Sequence, residues 1–112
     1  MSDCLFCRIA AGVVPATVVS QDERFVAFRD INPQAPTHVL VIPRQHIPTL
    51  DAASDEGVLG AMLLFARDVA RGEGVVDDGY RVVVNTNAGA GQTVFHLHAH
   101  VLGGRRMGWP PG

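Results

Sequence analysis

Along residues 93–103, "TVFHLHAHVLG", side chains alternate with a period of two. At strand spacing Val94, His96, His98, His100 and Leu102 point one way, and Phe95, Leu97, Ala99 and Val101 the other. The pattern predicts a strand with one uninterrupted apolar packing face and a row of histidines on the opposite face. Strands are also predicted at 16–21 and 25–30, forming a hairpin about the polar turn 21–24, and at 38–43 and 80–86. The run "HVLVIP" reads as buried and is stopped by Pro43. Over 54–71 the period becomes helical, with Leu59, Met62, Leu63, Ala66 and Ala70 as the apolar stripe. Ser54 is the expected N-cap, Asp55 and Glu56 suit a first turn, and Gly72 and Gly74 end the helix. A shorter helix fits "DCLFCRIAAG", with Asp3 as N-cap and Gly12 just past its end. Residues 32–36, "NPQAP", read as a turn and 87–92, "NAGAGQ", as a glycine-rich loop. The sum is α+β: a mostly antiparallel sheet with one main helix.

Composition narrows this picture. Residues 1–112 read as one domain, since no repeat or linker divides them and a chain of this length can bury its own core. A hydrophobic fraction of 47% excludes a disordered chain. The formal net charge of −2, with no basic block, points away from nucleic acid and from membrane surfaces. No apolar run approaches the roughly 20 residues a membrane span needs, and the start "MSDCLFCRIAAG" lacks the pattern of a secretory leader. The expected location is the cytoplasm. In a reducing compartment Cys4 and Cys7, a C-x-x-C pair, suit a metal clip or a redox pair better than a structural disulfide.

The histidine row admits three readings. Single histidines on strands are commonly hydrogen-bonded boundary residues, but three on one face of an apolar strand are harder to dismiss. A metal site is the second reading. Three consecutive same-face positions spread over about 13 Å of strand, so one ion with ligands near 2.1 Å cannot easily take all three. The row must divide by role. Nucleophilic catalysis is the third. A neutral imidazole can attack phosphorus if an acceptor holds its other nitrogen. Such chemistry also needs donors for the phosphate oxygens. A second histidine and the loop "NAGAGQT", through backbone N–H groups and the Gln92 and Thr93 side chains, could supply them.

"HLHAHVL" fits the pattern His-φ-His-φ-His-φ-φ, with φ apolar, and the chain resembles the Hint branch of the histidine triad superfamily. The stretches "DINPQAPTHVLVIP", "GYRVVVNTNAGAGQ" and the terminal "WPPG" carry the resemblance over nearly the whole length. It implies an antiparallel meander continued across a homodimer, and hydrolysis of purine nucleoside 5′-phosphoramidates through a nucleotidyl-histidine. His98 falls on the nucleophile, His100 on the phosphate-side donor, and His38 on a buried histidine that orients and tunes the nucleophile. Asp30 matches the acid that holds the ribose hydroxyls, with Ile31 beside the base; an Asx-turn cap before "NPQAP" is a second role open to Asp30. Asn85, Gly91, Gln92 and Thr93 match the phosphate side, and Trp109 matches a tryptophan that approaches the partner subunit's site.

Many bacterial Hint-like proteins resemble this chain in having a Cys2His2 zinc site whose ligands include the first histidine of the motif. The resemblance thus implies a structural zinc ion on Cys4, Cys7, His46 and His96, with no open position for catalysis. Competing functions are a nucleotide-binding regulatory protein with incidental turnover and a dinucleoside polyphosphate hydrolase. Gly108 stands where some Hint proteins have histidine, so no leaving-group preference carries over.

Overall fold

The computed structural model describes residues 3–112. Helix α1 (Leu5–Ala10) is followed by strands β1 (Val18–Gln21), β2 (Phe25–Arg29) and β3 (Thr37–Pro43), helix α2 (Glu56–Gly72), and strands β4 (Tyr80–Val83) and β5 (Ala99–Gly103). The strands form one antiparallel sheet in the order β1-β2-β3-β5-β4. This is the expected α+β fold with one main helix. Among the described residues no helix is long and apolar enough to cross a membrane.

Period-two alternation divides the sheet's faces. Phe25, Ala27, Val39, Val41, Ala99 and Val101 point toward α2 and pack on Met62, Ala66, Val69 and Ala70. Val26, Phe28, Leu40 and Ile42 point the other way and close a smaller core with Phe6 of α1. β3 is central, which is why its whole length is buried and its sequence is apolar on both faces. The hairpin turn is set by Asp22, whose carboxylate accepts from the N–H groups of Arg24 and Phe25 at 2.8 and 2.7 Å.

Several expected boundaries shift. The N-cap of α2 is Asp55, not Ser54: its carboxylate accepts from the N–H groups of Gly57 and Val58. Its buried stripe includes Val69, whereas Leu63 is half exposed. The N-cap of α1 is Cys4 rather than Asp3, with the Cys4 sulfur accepting from the Cys7 N–H. β4 ends at Val83 instead of residue 86. The largest difference is in 93–103, where the strand covers only Ala99–Gly103. Phe95 is half exposed, so the apolar face begins at Leu97. The chain over 93–98 leaves the ladder; Leu97 donates its N–H to the Ile47 carbonyl at 2.6 Å. His96 and His98 therefore precede the strand that carries His100.

Two stability predictions follow from local packing. A Cβ on Gly103 would lie 2.8 Å from Val75 side-chain carbons. Gly103→Ala is expected to cost roughly 1–3 kcal/mol, read as a lowered midpoint in denaturant. Glu73, at the C-terminus of α2, accepts two hydrogen bonds from Arg29 at 2.7 and 3.1 Å. Those bonds, against desolvation, hold its carboxyl below the usual range. A depressed folded-state value stabilises the fold above the ordinary carboxylate pKa and is lost as pH falls through the folded value. Because Arg29 is 43% exposed, Glu73→Gln should cost under about 1 kcal/mol at pH 7. In paired urea titrations the difference should shrink as pH falls below the ordinary carboxylate pKa and be gone once pH passes the lower folded value.

Candidate active site

The face of the sheet away from α2 carries a pocket of about 370 Å³. Its walls come from α1 (Leu5, Phe6, Ile9), the segment 14–16, the end of β2 through Ile31, and residues of 91–100 including Thr93, His98 and His100. The α1 wall and Arg29 were not anticipated from the sequence, although the apolar positions 5, 6 and 9 share a helical face.

Each histidine's tautomer is fixed by its neighbours. A backbone N–H can only donate and a carbonyl can only accept. His98 Nδ1 lies 2.7 Å from the His96 carbonyl, so Nδ1 bears the proton and Nε2 keeps a lone pair. The Gln34 N–H donates to His38 Nδ1 at 3.0 Å, which puts the His38 proton on Nε2. That N–H faces His100 Nδ1 at 2.9 Å. His100 Nδ1 therefore accepts, and its proton sits on Nε2. The result is one nucleophilic nitrogen and one N–H donor on rings whose centroids are 5.0 Å apart.

His38 thus hydrogen-bonds His100, not His98; the group that orients His98 is the carbonyl two residues back. Strand geometry brings His38 and His100 together, because in the β3–β5 register His38 pairs with Leu102 and Leu40 with His100, one step along the same face. Burial is the first cause holding His38, His98 and His100 below the ordinary imidazole value. His100 is pushed down to about 4, with His98 and His38 adding to the effect of burial. All three rings are neutral near pH 7.

Asp30 follows β2. One carboxylate oxygen accepts from the Asn32 N–H at 2.8 Å, an Asx turn, and the other lies 3.4 Å from His38 Nε2. Asp30, His38 and His100 lie close enough together to suggest a metal site. The tautomers argue against it, since His38 Nε2 carries the proton that a ligand nitrogen must lack.

The glycine-rich loop is braced rather than open. The N–H groups of Ala90, Gly91 and Gln92 donate within the loop. The Gln92 side chain is buried; it accepts from the Asn87 N–H and donates to the carbonyls of Pro48 and Val94. Gln92 shapes the loop instead of facing the pocket, contrary to its expected place among the phosphate donors. Gly91, in the left-handed region at φ +98, and exposed Thr93 line the pocket. Asn85 sits beside Gly91, its Nδ2 3.8 Å from where a Cβ would be. Ile31 is fully exposed at the pocket rim. Trp109 is 84% exposed near the C-terminus.

A second cluster lies behind α1. Cys4 and Cys7 are not bridged to each other. His96 Nδ1 is 3.3 Å from Cys4 Sγ, 3.5 Å from Cys7 Sγ and 3.2 Å from His46 Nδ1, and Cys7 Sγ is 3.3 Å from His46 Nδ1. A tetrahedron with zinc–sulfur bonds near 2.3 Å and zinc–nitrogen bonds near 2.1 Å has sulfur–nitrogen edges of about 3.6 Å and a nitrogen–nitrogen edge of about 3.4 Å. His96 Nε2 donates to the Pro43 carbonyl at 2.7 Å, which leaves Nδ1 as the lone-pair nitrogen facing the cluster. Donor set, spacing and tautomer all fit a structural zinc ion.

A sheet of this order, with a row of histidines opposite its main helix, is the arrangement of HIT family hydrolases, and comparison with known proteins agrees. The HIT domain model matches residues 11–107, and the chain belongs to that family of hydrolases. It is 46% identical to a purine nucleoside phosphoramidase of Escherichia coli over 95% of this chain and 91% of that protein. It is 48% identical to a 14 kDa zinc-binding protein of Zea mays, over 99% and 89%. A solved HIT family hydrolase from Legionella pneumophila superposes with a TM-score of 0.96 at 53% identity, covering 98% of this chain and all of that one.

Proposed function

We propose that this protein hydrolyses purine nucleoside 5′-phosphoramidates through a nucleotidyl intermediate on His98. The observation that carries the reading is the His98 ring: buried, neutral, tied at Nδ1–H to a carbonyl, and offering Nε2 to a pocket of nucleotide size. In the first step His98 Nε2 attacks phosphorus and the P–N bond breaks, the amine taking a proton from solvent as it leaves, a proton that the water of the second step gives back. Water then cleaves the N–P bond of the intermediate, releasing the nucleoside monophosphate and restoring the ring. His100 Nε2–H, with its acceptor side held by His38, donates to the phosphate oxygens.

Asp30 keeps acceptor capacity for the ribose hydroxyls beyond its Asx turn. The apolar walls, with Ile31, take the base without reading its edges. Thr93 and Gly91 face the phosphate, with Asn85 beside Gly91 on the same side, while Gln92 holds the loop. Structural zinc on Cys4, Cys7, His46 and His96 belongs to the same reading.

The reading takes 1–112 as one domain that works as a homodimer. Support comes from β4, an edge strand that a second copy could continue, and from Trp109, exposed and outside this chain's own pocket lining. The partner chemistry is a small nucleotide, in the cytoplasm, with neither nucleic acid nor membrane. The test is incubation with adenosine 5′-phosphoramidate while AMP and ammonia are followed. Release of both in equal amounts supports the reading; binding without turnover points to the regulatory alternative.

A further inference from the structure

α1 has six residues, too few for a helix to hold itself. Its tethers are tertiary. Cys4 and Cys7 reach His96 and His46 on one side. Phe6 lies between the two cysteines in sequence, and its ring enters the smaller core, 5% exposed. There it meets three rings edge-on: Phe28 at 5.4 Å, His96 at 6.0 Å and His98 at 5.0 Å with an interplanar angle of 85°.

The hydrogen bond at Nδ1 fixes one atom of the His98 ring but not its plane. The rings packed against that plane are Phe6, edge-on with centroids 5.0 Å apart, and His100, tilted at the same distance. We propose that Phe6 is a positioning residue for His98, and that through Phe6 the Cys4–Cys7–His46–His96 cluster governs where the nucleophilic nitrogen points. This rests on the phosphoramidase reading for its kinetic consequence, but not for its structural one.

The link is short. An occupant that takes both cysteine sulfurs fixes the backbone on either side of Phe6. The same occupant fixes His96, whose carbonyl is the hydrogen-bond partner of His98 Nδ1. Two routes thus run from one cluster to one ring. A misplacement of about 1 Å at a reacting atom can cost on the order of 100-fold in rate, so small movements of α1 should register in turnover before they register in binding.

The test uses the whole 112-residue chain, purified without chelator. Phe6→Leu keeps an apolar side chain but removes the ring edge; Phe6→Met is the second variant if the first does not fold. Turnover of adenosine 5′-phosphoramidate is measured with imidazole ¹⁵N spectra of the same samples. Expected are a fall in kcat of roughly 10- to 100-fold, a KM change under about threefold, and a His98 Nδ1–H signal that broadens or exchanges faster. Metal removal from the wild type with a chelator should give the same spectral change at His98. A raised KM with unchanged kcat and an unchanged His98 signal would make Phe6 a pocket wall only and overturn the proposal. Failure of the phosphoramidase reading shows separately, as absence of turnover in the wild type, and the ¹⁵N arm then decides by itself.

Discussion

His98→Ala should lower kcat/KM for adenosine 5′-phosphoramidate by at least about 10³-fold, with AMP binding kept within an order of magnitude. The magnitude follows from losing a nucleophile, where the residual rate comes from binding and oxyanion contacts alone. The asymmetry between rate and binding follows from the pocket, most of whose lining is apolar side chains that the substitution leaves in place. His100→Ala should cost less, roughly 10²-fold, because it removes a donor to the phosphate and not the attacking atom. Paired steady-state kinetics and nucleotide titrations check both. Equal losses for the two variants would mean that the two rings do not divide the work as their tautomers indicate.

Cys4→Ser combined with Cys7→Ser should abolish stoichiometric zinc and lower the midpoint of thermal unfolding by at least about 10 °C. Structural zinc sites hold the metal with a large free energy, and only part of it stabilises this fold, because the main core against α2 involves none of the four residues. Even a net 3 kcal/mol corresponds to a shift of that size in a domain of about 100 residues. α1 should loosen first, since it carries Cys7, is capped by Cys4 and packs on the smaller core. Metal analysis of protein purified without chelator, with calorimetry of both forms, tests this. Wild-type protein free of zinc, with both thiols titratable, would remove the metal from the reading.

How much of this was written in the sequence depends on the range of the interaction. Period-two alternation correctly put Leu97, Ala99 and Val101 on the packing face, which lies against α2, and the histidines on the opposite one, because side-chain direction is local. It overextended the strand, because nothing local tells where 93–98 leaves the ladder to bond with Ile47. The row's length argued that one ion could not take all three rings, and His96 and His100 do lie in separate clusters. Which nitrogen of each ring carries the proton was not legible. That depends on Gln34, Pro43 and the His96 carbonyl, groups brought into place by the turn, the register and the loop. Gln92 shows the limit of motif reading: it sits in the loop as expected, yet its hydrogen bonds are turned inward. The role of Phe6 was not legible because the rings it meets lie 22 residues away or more in sequence.

The most direct measurement is to trap the intermediate. Wild-type protein is mixed with adenosine 5′-phosphoramidate, quenched in alkali within the first turnovers, and digested with trypsin. The peptide 82–105 holds His96, His98 and His100 together, so fragmentation must place the modification on one ring. The expected result is an adenylyl group on His98 alone, absent in His98→Ala. An adenylyl group on His96, His100 or His38, or turnover with no covalent nucleotide on any histidine, would contradict the assignment of His98 as nucleophile.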